Sequence, residues 1–275
     1  MRKGRLFYLF LLFFLFLGQW KQHGRVNYYA YYQVNESLNS MRVFDVGQAL
    51  DGKLIFGTRR GAWRFDGETL QNMDPDKILP SPVISAIAIH KDGSIYLGTL
   101  KGLAVYRDEQ LRILNPFEKS DISQIKMGSE GDLWIGTRNE GLYHKTDEGL
   151  KQYLKGIRIV SVTVDPSTGD CWVGSAEGVF RYDQKQRRFV SIPLLKKRIP
   201  LSILKASDGK LWVCGRFGVG FLENGQYTRL ESSHNAFSFE VVFDLFEDSR
   251  GVIWIGSTDG VSTYAKQQLQ HYKNT

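Results

Sequence analysis

The chain opens on one unbroken apolar run, Leu6 to Leu17 (LFYLFLLFFLFL), and from there on apolar residues come in short stretches punctuated by glycine. Those stretches recur with a fixed period. A glycine stands three positions before an aromatic or apolar residue in six places: Gly52 and Ile55, Gly93 and Tyr96, Gly131 and Trp134, Gly169 and Trp172, Gly209 and Trp212, Gly251 and Trp254. Successive copies lie roughly 40 residues apart, the spacing of a repeat architecture. A second glycine comes after the aromatic slot every time, at Gly61, Gly102, Gly141, Gly178, Gly218 and Gly260.

Each copy reads as four short strands, a to d. In the third, strand a runs from Ile122 to Met127, b is LWIGT from Leu133, c is GLYHK from Gly141 and d is LKQYL from Leu150. Strands a and b are joined at Asp51-Gly52, Asp92-Gly93, Glu130-Gly131 and Asp208-Gly209, residue pairs that tolerate the positive φ of a tight hairpin. Copies four (Asp165 to Gly169) and six (Asp248 to Gly251) carry longer versions of that loop. The second glycine closes the b-c hairpin. A lone four-stranded sheet with two partly apolar faces lacks a partner layer, and stacking the copies radially supplies one. The pattern therefore predicts an all-β protein: a β-propeller of six, or an incomplete seven, four-stranded antiparallel blades over residues 25–275. Trp134, Trp172, Trp212 and Trp254, with Ile55 and Tyr96 in the same slot, are expected to pack between blades.

The strand count leaves two arrangements open. Tyr28 to Tyr32 (YYAYY) reads as an extra d strand ahead of the first copy. Either the chain is a six-bladed ring with a spare N-terminal strand, or it is the front part of a longer protein whose last blade that strand would complete.

Arg2, Lys3 and Arg5 precede the apolar run and give it the form of a charged n-region followed by an h-region. Twelve residues make about 18 Å of helix, well short of the ~30 Å hydrocarbon core. Residues 1–19 read as a cleaved signal peptide, with an uncleaved anchor as the alternative because Phe16-Leu17-Gly18 is a poor cleavage site. Either way the propeller is expected to be periplasmic or otherwise exported.

The formal charge is +7, and three of the positive residues belong to the leader. What remains is a mild basic bias without a dense cluster, which suits an anionic ligand and speaks against nucleic acid. The two cysteines, Cys171 and Cys214, fall in the b strands of adjacent copies. They read either as two buried small apolar residues or as a disulfide, if those strands are neighbours.

In an up-and-down blade the b-c and d-a loops emerge at one end. That end carries the candidate ligand residues: Arg59, Arg60, Lys101, Arg138, Asn139, Glu140, Arg216 and Phe217 on b-c loops, and His234 and Phe237 on a d-a loop. Arginine forks suit carboxylate or sulfate groups and aromatic rings can stack on sugar faces, so an acidic or sulfated oligosaccharide is the expected ligand. Catalytic signals are weak. The five histidines have no metal-ligand spacing, and neither a G-x-S-x-G elbow nor a phosphate-binding glycine loop occurs. Asp248-Ser249-Arg250-Gly251 does not reproduce the Asp box of sialidase-like propellers. No enzyme activity, cofactor or metal is implied. A protein-interaction scaffold is the alternative, and a propeller lyase using His234 with Glu140 a more distant one.

At these residues the sequence resembles the two-component regulator propeller repeat. EGDLWIGTRNEGLYHK from Glu130, DGSIYLGTLKGLAVYRD from Asp92 and GVIWIGSTDGVSTY from Gly251 match its signature closely; DGKLIFGTRRGAWRFDG from Asp51 and GDCWVGSAEGVFRYD from Gly169 do so as well. DGKLWVCGRFGVGF from Asp208 departs, with Cys214 in the first glycine position and Gly215 in the threonine position, and its b strand is expected to bend differently. The resemblance implies the periplasmic sensor region of hybrid two-component proteins that detect glycan fragments. It also implies a membrane sensor kinase or a second propeller as partner.

Overall fold

The computed structural model describes residues 42–165, 167–230 and 241–272. The leader, the Tyr28 to Tyr32 stretch, His234 and Phe237 lie outside the described residues. The rest is six blades. Blade 1 is β1 (Val43–Gln48), β2 (Leu54–Thr58), β3 (Gly61–Phe65) and β4 (Leu70–Asn72). Blade 2 is β5 (Ile84–Ile89), β6 (Ile95–Thr99), β7 (Gly102–Arg107) and β8 (Gln110–Leu114). Blade 3 is β9 (Ile122–Met127), β10 (Leu133–Thr137), β11 (Leu142–Thr146) and β12 (Gly149–Tyr153). Blade 4 is β13 (Ile159–Val164), β14 (Cys171–Ser175), β15 (Gly178–Asp183) and β16 (Arg188–Ser191). Blade 5 is β17 (Pro200–Lys205), β18 (Leu211–Gly215), β19 (Gly218–Glu223) and β20 (Gln226–Arg229). Blade 6 is β21 (Val242–Glu247), β22 (Ile253–Ser257), β23 (Gly260–Ala265) and β24 (Gln268–Tyr272). Every sheet is ordered a-b-c-d and antiparallel throughout. Among the described residues no helix is long and apolar enough to cross a membrane.

The a strands are the inner ones: β1 packs on β5, β5 on β9, β9 on β13, β13 on β17 and β17 on β21. Each carries a bulge between its first and third residues, as between Val43 and Asp45 or Val242 and Asp244. Bulges strengthen local twist, which turns one blade relative to the next. The b strands are apolar on both faces because both are covered; all five residues of β10, LWIGT, are buried. Trp134 meets Tyr182 and Phe189 of blade 4 at 5.8 Å between ring centroids, and Trp212 meets Tyr264 of blade 6 at 5.1 Å. Trp134, Trp172 and Trp212 therefore pack between blades, as their period predicts, whereas Trp254 stacks on Tyr272 of its own blade.

Two details of blades 4 and 5 concern cysteine. Cys171 and Cys214 are free and buried, and burial pushes the Cys214 thiol up to about 12 and the Cys171 thiol well above its usual range. The bend expected in the b strand of the fifth copy does not occur. β18 keeps the length and the bulged pairing of the other b strands, because Cys214 fits into the apolar cluster that holds Val242 and Leu245.

Carboxylates in the tight turns sit below their ordinary range. The Thr69 and Glu68 N–H groups hold Asp66 at about 2, the Ser94 N–H and then His90 depress Asp92, and the Arg250 guanidinium depresses Asp248. A carboxylate more acidic in the folded than in the unfolded chain stabilises the fold above its unfolded pKa, and that contribution is lost as pH falls. Thermal melts followed by circular dichroism should hold level from pH 7 to about 5 and drop between about pH 4 and 2. A level melting temperature down to pH 2 would show that these turns contribute nothing.

Candidate functional site

The b-c turns and the d-a connections meet at one end of the ring, where the backbone ties them together. Arg138 N donates to Asp121 O at 2.9 Å, Ala176 N to Arg158 O at 3.0 Å and Lys197 N to Glu177 O at 2.9 Å. A hydroxyl at the end of five of the six b strands shapes the turn; in blade 5 Gly215 stands there. Thr58 Oγ1 accepts from Arg60 N at 3.0 Å and donates to Gly61 O at 2.9 Å, and Thr99 does the same for Lys101 N and Gly102 O. With the polar groups of the turn satisfied locally, its two tip residues are left to face solvent.

The candidates singled out from the sequence divide into two groups at this end. Arg59, Arg60, Lys101, Asn139 and Arg216 are exposed. Among the described residues the four cations of that group form no ion pair. Arg138, Glu140 and Phe217 are instead occupied within the fold. Arg138 Nη1 pairs with Asp121 Oδ1 at 2.5 Å. Glu140 Oε2 accepts from Tyr143 Oη at 2.8 Å and Ser120 Oγ at 3.1 Å. Burial and then Glu140 push the Tyr143 hydroxyl up to about 12, so it stays a donor. The Arg198 guanidinium lies over Phe217 at 5.6 Å and over Tyr227 at 4.8 Å.

At the opposite end four carboxylates have cationic partners. Asp51 pairs with Arg64 at 2.6 Å, Asp92 with Arg107 at 3.0 Å, Asp170 with Arg181 at 3.1 Å and Asp208 with Lys210 at 2.5 Å. An open cleft of about 1100 Å³ lies there among blades 2, 3 and 4. Two histidine–carboxylate pairs line it. His90 Nδ1 is 2.6 Å from Asp92 Oδ1, and His144 Nε2 bonds Asp132 Oδ2 while its ring stacks on Trp134 at 3.7 Å and 5°. No sequence motif pointed to this cleft. The hairpin register held the signal, since β10–β11 pairing sets Trp134 opposite His144. Among the described residues no group of three or more His, Cys, Asp or Glu side chains is placed to hold a metal ion.

Residues 236–259, which span β21 and β22, match the family model for the two component regulator propeller. That segment carries one copy of the two-component regulator propeller repeat. Blade 6 contains the match, and the other five blades share its strand order and the bulge of its a strand. Among solved structures the chain is similar to the extracellular domain of a protein from B. thetaiotaomicron described as a hybrid two component system. That likeness has 16% identity and a TM-score of 0.59, covering 86% of this chain and 39% of that one. It is also similar to virginiamycin B lyase from Staphylococcus aureus, at 15% identity and a TM-score of 0.56 over 68% of this chain and 69% of that one. A third likeness is to PorZ, a surface component of the type-IX secretion system of Porphyromonas gingivalis, at 16% identity and a TM-score of 0.63 over 80% of this chain and 38% of that one. The chain thus spans well under half of the two-component domain, and the likenesses establish a fold that serves both sensors and enzymes. No curated protein sequence matches.

Proposed function

We propose that this two-component regulator propeller is an exported, non-enzymatic sensing module that takes an acidic or sulfated oligosaccharide on its b-c and d-a loop end. The observation that carries the reading is the contrast between the two ends of the ring. Asp51, Asp92 and Asp208 at the a-b end have cationic partners, while Arg59, Arg60, Lys101 and Arg216 project from the other end with none among the described residues. Uncompensated cations at one end of the ring favour a polyanion, and bidentate arginine contacts to sulfate or carboxylate would give it orientation. A signal from this end passes to a partner, for which a membrane sensor kinase or a second propeller is the expected kind. The leader and the resemblance to periplasmic sensor regions support export.

Titration of the purified protein with sulfated and uronic-acid oligosaccharides tests the ligand class. Binding should weaken with salt, and Arg59→Ala with Arg60→Ala should lower affinity about tenfold, the effect of roughly 1.4 kcal/mol. Lys101→Ala and Arg216→Ala should each act in the same direction. Equal affinity in all variants, or no anionic glycan bound, would refute the reading. The cleft between blades 2 and 4 offers a second reading, because an aromatic–histidine stack beside carboxylates also suits a sugar. Loss of binding in His144→Gln but not in the arginine variants would place the ligand there.

A further inference from the structure

Exposed aliphatic side chains are spread unevenly over the connections of the propeller. Among the described residues five exposed large apolar side chains lie in connections instead of strands, and four of these are at the b-c and d-a loop end. Ile78 (43% exposed), Leu194 (50%) and Ile199 (48%) belong to d-a connections, and Leu100 (38%) to the b-c turn of blade 2. Leu50 is the one at the opposite end. Each of the four has a cation within two positions in sequence. Lys77 precedes Ile78, Lys101 follows Leu100, and Lys196, Lys197 and Arg198 stand between Leu194 and Ile199. All four of these lysines are exposed.

The backbone holds these side chains outward. Asp74 Oδ1 accepts from Ile78 N at 2.6 Å and Oδ2 from Leu79 N at 3.1 Å, and Leu79 is buried in the core cluster of blades 1 and 2. Ile78 therefore points away from the core that its neighbour enters. In the connection after blade 4, Leu195 is fully buried and Lys197 N donates to Glu177 O at 2.9 Å, which leaves Leu194 and Ile199 on the solvent side. Neither connection can fold its aliphatic groups inward without giving up a buried leucine. The chain also enters blade 1 at this end, where Arg59 N donates to Arg42 O at 3.1 Å, so the sequence carrying the apolar run Leu6 to Leu17 joins the propeller beside these loops.

We propose that the loop end is a docking surface for an anionic phospholipid bilayer, with Ile78, Leu100, Leu194 and Ile199 entering the headgroup layer and the neighbouring lysines on the lipid phosphates. A bilayer surface takes single aliphatic groups flanked by long cations, because a lysine stem lies along hydrocarbon while its ammonium stays with the phosphates. The carboxylates beside these loops, Asp76 and Glu177, are outnumbered by the cations. A protein partner fits less well. Protein interfaces centre on aromatic anchors and are depleted in lysine, whereas here Phe117 is buried and Phe217 lies under the Arg198 guanidinium at 5.6 Å. A soluble oligosaccharide has no use for the four aliphatic groups, so the docking surface stands apart from the glycan reading.

Dyes placed at either end test the surface in the full chain, whose own Cys171 and Cys214 are buried with raised thiol pKa values and so do not compete for the label. A polarity-sensitive dye is attached to Leu194→Cys or, at the opposite end, to Leu50→Cys. Each is mixed with vesicles of phosphatidylglycerol and phosphatidylcholine in equal parts, or of phosphatidylcholine alone, with brominated acyl chains as quencher. The leader is present in every arm, so the arms differ only in the end that carries the dye and in the lipid charge. Quenching should occur from Leu194→Cys and not from Leu50→Cys, on the anionic vesicles, and should fall as salt rises. Lys196→Ala with Lys197→Ala should weaken vesicle binding about tenfold, and Ile78→Ser with Ile199→Ser should do the same without changing the response to soluble sulfated oligosaccharide. Equal quenching from both ends, none from Leu194→Cys, or equal quenching on neutral vesicles overturns the docking surface. Vesicle quenching without any binding of oligosaccharide would uphold it and strike the glycan reading alone.

Discussion

Trp212→Ala should lower the unfolding free energy by about 3–5 kcal/mol in urea titrations, while Trp254→Ala should cost only about 1–2 kcal/mol. The two residues occupy the same slot of the repeat and differ in whether a further blade packs against them. Trp212 is 1% exposed, with Phe221 of its own blade at 4.9 Å and Tyr264 of blade 6 at 5.1 Å. Its indole N–H is buried and has no acceptor among the described residues, so packing and buried area hold the ring there. Truncation leaves a cavity between two sheets that cannot close on it without moving a blade. Trp254 is only half-buried, stacks on Tyr272 of its own blade at 6.2 Å and 15°, and donates from Nε1 to Asp248 Oδ2 at 3.2 Å. Truncation loses a part-buried hydrogen bond and some area, and no neighbouring blade collapses. Equal costs at the two positions would mean that contact between successive blades is not what stabilises the propeller.

The strands of blade 3 were readable almost to the residue, because a period of about 40 fixes where glycine and aromatic positions must recur. Gly131 and Gly141 take φ values of +88° and +105°, the conformations that their places in the a-b and b-c hairpins demand. Hairpin order also located the loop end correctly, since it depends on strand count alone. Which loop residues are available could not be read that way. Arg138 differs from Arg59 only in that Asp121 lies within reach from the preceding d-a connection, a contact between segments 17 residues apart. The cleft beside His144 escaped for a related reason, as it forms where three blades meet and belongs to no single repeat. Cys214 misled in the other direction. A residue that breaks the local pattern was expected to break the strand, but the neighbouring blade decides whether a side chain fits.

Gly141→Ala should cost about 3 kcal/mol, with Gly149→Ala, also at positive φ, costing about 1 kcal/mol. Both glycines sit in hairpins of blade 3, at φ values of +105° and +138°. A Cβ on Gly149 would meet nothing within 4 Å, so only backbone strain is added. On Gly141 it would stand 2.4 Å from Leu154 O and 2.7 Å from Tyr153 O, backbone atoms that no rotamer change can move aside. Relief requires displacing the b-c turn from the start of the d-a connection. Gly141 O also accepts from Thr137 N at 3.0 Å and Thr137 Oγ1 at 2.7 Å, so the displacement pulls on the contacts that shape the turn. Asn139, at the tip, and the Arg138–Asp121 pair would move with it. A ligand held by the loop end should therefore bind Gly141→Ala more weakly than Gly149→Ala at a temperature where both are folded, although neither variant changes a charge. If both variants melt and bind alike, the turn is not held in place by this close approach, and the loop end is too soft to orient an oligosaccharide.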